Sequence, residues 1–317
     1  MDFKIVNLDE IDTAPQKCVL ALGMFDGLHI GHMRVIKAAA KAAKRNRAEL
    51  CVLTFSPHPS KVIDMGRPPA KMVCPPEQRA ELFKKAGVKK VFVKKFTKTF
   101  ANMTPEGFAK MLVKKFPNLR AIATGYNFLF GRGASGNTKT LAELCKKHGW
   151  EYEAVDGAYL GDGRRISSSE LRKAVARADM DEVKLLTGDF YTVSGRIKSG
   201  KKLGRKIGFP TLNIPWNPAC KPPFGVYAVR LTRAKTGETF RGVASYGTSP
   251  TVGETEPLLE VNLLKNVKFG APSRASVKLV KFLRGQKKFD SLDALKTQIA
   301  ADKREAADFF KMKKKHK

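Results

Sequence analysis

The chain has 317 residues, 43% of them hydrophobic, and its 60 Lys+Arg outnumber 29 Asp+Glu to give a formal charge of +31. That length suggests about two domains of ordinary size, and the apolar content excludes a disordered chain, a collagen-like repeat and a disulfide-stapled scaffold. No run of ~20 apolar residues is present to cross a membrane, and the opening MDFKIVNLDEIDTAPQ lacks the basic-then-apolar pattern of a secretory signal.

Taken in chain order, apolar runs of strand length at residues 18–25, 50–55, 88–93 and 121–125 alternate with helical stretches at 31–45, 76–86, 105–116 and 138–148. Such alternation predicts an α/β domain, a Rossmann-like parallel sheet covered by helices. After Ile166, one or two helices follow; Ser167 or Ser168 can cap the first and Gly188 can end the last. From Asp189 the texture changes to short β-rich runs at 190–197, 225–231, 242–247, 259–264 and 277–283, separated by Gly and Pro clusters. This predicts a small antiparallel β-barrel, closed by an amphipathic helix at about residues 292–310. The domains are therefore expected at 1–186 and 187–317. The five cysteines, Cys18, Cys51, Cys74, Cys145 and Cys220, are odd in number and widely spaced, with no Cys-x-x-Cys. That pattern argues against a zinc site or a disulfide framework and for a reducing, cytoplasmic location.

The first candidate site is the string Asp26-Gly27-Leu28-His29-Ile30-Gly31-His32, where the first strand runs into the first helix. Glycines at 23, 27 and 31 permit tight turning and close backbone approach to a ligand. The helix N-terminus offers free N–H groups suited to phosphate. His29 and His32, three apart, would face the same anion and donate hydrogen bonds to a triphosphate as charge builds up in the transition state. The bland alternative is a loop with two surface histidines. A zinc reading of His-x-x-His lacks further ligands nearby.

His-Ile-Gly-His after a first strand resembles the nucleotidyltransferase superfamily, which includes class I aminoacyl-tRNA synthetases. The longer string G-x-F-D-G-x-H-x-G-H is similar to the adenylyltransferase module of the bacterial bifunctional riboflavin kinase/FAD synthetase family. Three downstream motifs agree in order. Thr54-Phe55-Ser56-Pro57-His58-Pro59 is similar to T-F-x-P-H-P, with Ser56 where an acid is usual. Gly125-Tyr126-Asn127-Phe128-Leu129-Phe130-Gly131, with Gly136 following, resembles G-x-[DN]-F-x-F-G. Ile166-Ser167-Ser168-Ser169-Glu170-Leu171-Arg172 resembles I-S-S-T-x-[IL]-R, with Ser169 for Thr. Read alone, the serines are equally a helix cap before a solvent-facing arginine, Asn127 a turn residue, the phenylalanines core, and His58 a rigid turn. The resemblance implies that His29 and His32 are catalytic. It implies that Gly23, Phe25, Asp26, Gly27, Gly31, Asn127, Ser167, Ser168, Ser169 and Arg172 bind ATP and its phosphates.

The second candidate site is the basic, Gly-rich segment from Val193 to Asn213. Gly195 to Lys202 is a near miss to a P-loop, but it lacks the Ser/Thr for magnesium and a following helix. Its glycines and cations can still cradle phosphates. Thr211 and Asn213, two apart on an extended segment, point the same way and can share one Mg²⁺ with a nucleotide; the bland alternative is a β-turn with a basic rim. G-R-x-[LI]-G-[FY]-P-T-x-N is similar to the riboflavin kinase signature, and Gly225-Val226-Tyr227, Gly247-Thr248-Ser249-Pro250-Thr251 and Leu283-Arg284…Phe289 resemble later blocks of that family. The family's E-x-H-L-L matches Glu260-Val261-Asn262-Leu263-Leu264, which implies that Glu260 is the base for the ribityl hydroxyl. Its apolar neighbours are expected to raise its pKa. The resemblance further implies ATP or phosphate contacts at Gly200, Gly204, Arg205, Gly208 and Pro210, and flavin contacts at Phe209 and Arg284. Three departures stand out: Asn262 for the usual histidine, a shortened stretch at 265–270, and Gln286 in place of an acid.

The implied activity is a two-step synthesis: riboflavin and ATP to FMN in the second domain, then FMN and ATP to FAD and pyrophosphate in the first, with Mg²⁺ as cofactor. Riboflavin, FMN and ATP are the expected partners; the oligomeric state stays open. A positive field of this size attracts anions in general, which motivates a second reading as a nucleic-acid-binding protein on an old nucleotide fold. The charge is spread over both halves, no RNA-binding module signature is present, and no length remains for an anticodon domain. These points argue against nucleic acid as a partner and for a solubilising surface.

Overall fold

A computed structural model describes residues 3–64, 66, 68–74, 76–198, 207–249, 254–265, 267 and 273–315. The chain divides into two compact units, Met1–Ser168 and Ser169–Lys317.

In the first unit the elements are β1 (Lys4–Asn7), β2 (Cys18–Leu22), α1 (Ile30–Arg45), β3 (Glu49–Ser56), α2 (Pro76–Lys85), β4 (Lys90–Lys95), α3 (Lys98–Ala101), α4 (Pro105–Lys115), β5 (Leu119–Gly125), α5 (Thr138–His148) and β6 (Glu151–Val155). The strands form one parallel sheet in the order β1-β4-β3-β2-β5-β6. Strand β2 is buried throughout, as a central strand covered on both faces must be. Its residues alternate between two cores: Cys18, Leu20 and Leu22 pack with Phe108, Leu112 and Leu141, whereas Val19 and Ala21 pack with Val35, Ile36 and Ala39 of α1. The predicted α/β architecture is the observed one. Strands β1 and β6, mostly exposed or half-buried at the two sheet edges, carry too little apolar signal to be read from sequence.

The second unit opens with most of α6 (Ser168–Ala176) and with α7 (Met180–Thr187), which Gly188 ends in a left-handed conformation. The barrel strands are β7 (Tyr191–Arg196), β8 (Leu212–Pro215), β9 (Gly225–Arg233), β10 (Thr239–Ser249), β11 (Glu254–Leu263) and β12 (Arg274–Gly285), followed by α8 (Leu292–Lys315). They pair antiparallel in the order β7-β12-β9-β10-β11-β8. The Lys198 N–H donates to the Asn213 carbonyl at 2.8 Å, so the two ends of the sheet meet and the barrel closes. Closure leaves no sheet edge open at that point. Tyr227, Val229, Tyr246, Leu259, Val261, Val277 and Leu279 are fully buried. On other positions of the same strands, Val226, Ala228, Val243 and Val280 meet Ala306, Phe309 and Phe310 of α8. The barrel and its closing helix match expectation; the four-residue β8, hidden in the motif segment, does not announce itself in the sequence.

Candidate active sites

In the first unit the site is built at the turn between β2 and α1. The chain leaves the sheet through Phe25 (φ 50°), Gly27 (φ 80°) and Leu28 (φ 42°). Left-handed backbone at two non-glycine residues is costly and is characteristic of a ligand-facing turn. Packing holds it: Phe25 and Leu28 are buried in the α1 core. Asp26 is buried, and its Oδ1 accepts from the Val73 N–H at 2.9 Å and the Cys74 N–H at 3.4 Å. Its carboxylate therefore ties the 73–74 segment to the turn. The Ser168 hydroxyl donates to the Asp26 carbonyl at 2.9 Å, bringing the fourth motif onto the first.

His29 is the N-cap of α1: its Nδ1 accepts from the His32 N–H at 3.3 Å. The two imidazoles stack with centroids 3.7 Å apart and planes 17° from parallel. A Cβ on Gly31 would lie 3.1 Å from the His29 ring, so glycine gives that ring its place. Burial, together with the positive Arg165 nearby, lowers the His29 pKa to about 4. Burial and the neighbouring His29 hold His32 well below its ordinary value. Both rings are thus neutral near pH 7. With Nδ1 accepting, His29 carries its proton on Nε2 and can donate it in a hydrogen bond.

The other predicted residues are placed as follows. Gly23 leaves β2 beside the Phe25 ring, which a Cβ there would crowd at 3.2 Å. Asn127 is exposed in the turn after β5, the strand next to β2. His58 precedes a 3-10 turn that its Nδ1 caps through the Ser60 N–H. Ser167 is half-buried, while Ser169 and Arg172 lie on α6. Sequence reasoning missed Arg165, whose guanidinium lies 5.5 Å from the Tyr126 ring centroid and whose charge acts on His29. It also missed Arg34, which donates to the Gly157 carbonyl at 3.1 Å. Neither belongs to a quoted motif, and an arginine among this many cations has no distinguishing signal.

In the second unit, Gly200, Gly204 and Arg205 lie outside the described residues, as does most of the 265–270 stretch. Gly208 (φ 88°) turns the chain into half-buried Phe209 and exposed Pro210 and Thr211. Asn213 and Glu260 are direct cross-strand partners in the β8–β11 pairing. Asn213 is buried, and its Oδ1 has no hydrogen-bond partner. Asn262, the departure from the family pattern, is also buried; its Nδ2 donates to the Pro210 carbonyl at 2.9 Å and pins the motif segment to β11. Arg284 forms a two-pronged ion pair with buried Asp302 of α8, Nε to Oδ1 at 2.8 Å and Nη2 to Oδ2 at 2.7 Å. The next residue, Lys303, places its ammonium 5.6 Å from the Phe209 ring centroid.

An α/β unit with a histidine pair at a helix start, followed by a closed barrel with a Glu–Asn pair, defines a two-domain transferase acting on nucleotides. Residues 11–170 match the FAD synthetase family and residues 187–310 the riboflavin kinase family. The bifunctional riboflavin kinase/FMN adenylyltransferase of Bacillus subtilis (strain 168) is 33% identical over 299 residues, 93% of each chain. That of Escherichia coli (strain K12) is 33% identical over 312 residues, 98% of each chain. A solved structure described as a macrolide-efflux protein from Streptococcus pneumoniae is 27% identical, with a TM-score of 0.80, covering 96% of this chain and 97% of that one. The chain belongs to the bifunctional riboflavin kinase/FMN adenylyltransferase family.

Proposed function

We propose that the second domain phosphorylates riboflavin with ATP to give FMN, and that the first joins AMP from another ATP to FMN, giving FAD and pyrophosphate. The observation that carries the reading is the pairing of Glu260 with Asn213 in one unit while a neutral His29–His32 stack occupies the other. In the kinase step Glu260 accepts the ribityl hydroxyl proton, and the oxygen so freed attacks the γ-phosphorus as ADP leaves. The partnerless Asn213 Oδ1 and the nearby Thr211 hydroxyl suit an oxygen-seeking cation, and we assign Mg²⁺ to them. When bound, Mg²⁺ supplies charge neutralisation at the phosphates.

In the adenylyl step an FMN phosphate oxygen attacks the α-phosphorus, and the bond to pyrophosphate breaks; no covalent enzyme intermediate is required. His29 donates from Nε2 to the charge that develops, with His32 stacked against it. Ser167, Ser168, Ser169 and Arg172 hold phosphate oxygens in this reading, with Arg172 as the fixed cation. Phe209 and Arg284 contact the flavin, and the domain boundary falls at 186/187. The five cysteines, all buried and none joined in a disulfide among the described residues, support a cytoplasmic location. Incubating the purified chain with riboflavin, ATP and Mg²⁺ and separating the flavins by chromatography tests the whole scheme. FMN and FAD should both accumulate; finding neither would overturn it.

A further inference from the structure

The helices α1, α2, α4 and α5 each end in basic residues. Cations at helix C-termini complement the helix dipole, so those positions alone mean little. The strands add an independent pattern. Each of the six parallel strands begins beside an exposed cation: in sheet order, Lys4 at β1, Lys89 at β4, Arg47 at β3, Lys17 at β2, Arg120 at β5 and Lys147 at β6. Lys4, Lys17, Lys89 and Arg120 belong to strands or to the connections before them, where no dipole calls for them. Because the sheet is parallel, all six gather at the same end of it.

None of the six side chains has an ion-pair partner among the described residues. The two acids that open strands there are neutralised: Glu49 by Lys90 at 2.9 Å, and Glu151 by Arg45 with Asn46. Neighbouring strands lie ~4.8 Å apart, so six starts span about 24 Å. One strand of a duplex places about seven phosphates along that length. The His29–His32 turn sits at the opposite end of the same sheet, past the last residue of β2. The exposed aromatics Tyr126 and Tyr159 follow β5 and β6 at that far end too, whereas half-buried Trp150, stacked on His148, precedes β6 at the cationic end.

We propose that this row binds nucleic acid through its phosphodiester backbone, without base specificity and apart from the flavin chemistry. Sequence alone presents the charge as spread along the chain; in this unit the parallel topology collects part of it at one end of the sheet. Phosphate contacts of this kind carry affinity but no base information.

The test is fluorescence anisotropy of a labelled 24-base-pair duplex with the full chain, titrated between 50 and 200 mM salt. Binding through four to six phosphates should give a log–log salt slope of about −4 to −5. The variant Lys4→Gln/Lys17→Gln/Lys89→Gln/Lys147→Gln should reduce the slope by ~3.6, at ~0.9 per contact. Its affinity at 100 mM salt should fall at least ~10-fold, with FAD formation at the parent rate. A matched variant with Lys311, Lys313, Lys314 and Lys315 changed to Gln should keep the parent slope within ~1. No binding at 50 mM salt overturns the proposal. So does an unchanged slope in the first variant, a slope lost only in the second, or a preference of the parent chain for phosphatidylserine vesicles over the duplex.

Discussion

Asn213 and Glu260 stand opposite each other across the β8–β11 pairing, on the outer face of the barrel. Their strand neighbours Ile214, Leu259 and Val261 are fully buried on the inner face, and the period of two turns Asn213 and Glu260 the other way. Side chains directly opposite in an antiparallel pair have Cβ atoms about 5 Å apart. A carboxylate and an amide oxygen held that close can address two atoms of the same phosphoryl-transfer reaction.

Glu260→Gln keeps the shape and removes the basicity. FMN formation should fall by about 10²- to 10⁴-fold, the usual worth of a general base, while FMN supplied from outside is still adenylylated. Phosphorylation of riboflavin at the parent rate would remove Glu260 from the chemistry.

His29→Ala and His32→Ala should each cut FAD formation by about 10²–10³, the cost of losing one transition-state donor. FMN formation should hold, because the units have separate cores. Equal loss of both activities in a folded variant would count against two independent sites.

The His29 stack makes the first unit acid-sensitive. His29 has a pKa of about 4 when folded, against an ordinary value of 6.5. Between those values the unfolded chain binds a proton that the folded chain refuses, so stability falls as pH drops through that window. The effect is about 3 kcal/mol when complete, and His32 adds in the same direction. His29→Asn keeps an N-cap acceptor and removes the titration. Thermal melts from pH 7 to 4 should show a shallower decline in this variant; parallel curves would contradict the assignment.

Arg284 is expected from the family resemblance at the flavin, and its guanidinium is paired with Asp302. Removing it would leave a carboxylate only 4% exposed with no countercharge, held by the neutral Gln298 amide at 3.0 Å. Arg284→Met should therefore destabilise the second unit by about 3–5 kcal/mol. Arg284→Met/Asp302→Leu should recover most of that loss. The KM for riboflavin in the folded double variant separates the two roles: a rise shows flavin contact, and no change shows that Arg284 only anchors α8.

Much was legible in the sequence. The shift from strand–helix alternation to short β runs marks two architectures, because periodicity reflects which faces are buried. Four ordered motifs in the first domain and the kinase signature blocks in the second carry the family and name His29, His32, Glu260, Thr211 and Asn213. What the linear order does not contain is which strands become neighbours. Lys198 closing on Asn213, Glu260 facing Asn213, and Asn262 holding Pro210 all join residues distant in the chain. The same holds for Arg165, whose charge reaches His29 across more than a hundred residues, and for six cations scattered from Lys4 to Lys147 that meet at one end of the sheet. Local pattern reports burial and turn chemistry; pairing, register and the field at a buried ring depend on distances that exist only after the chain has folded.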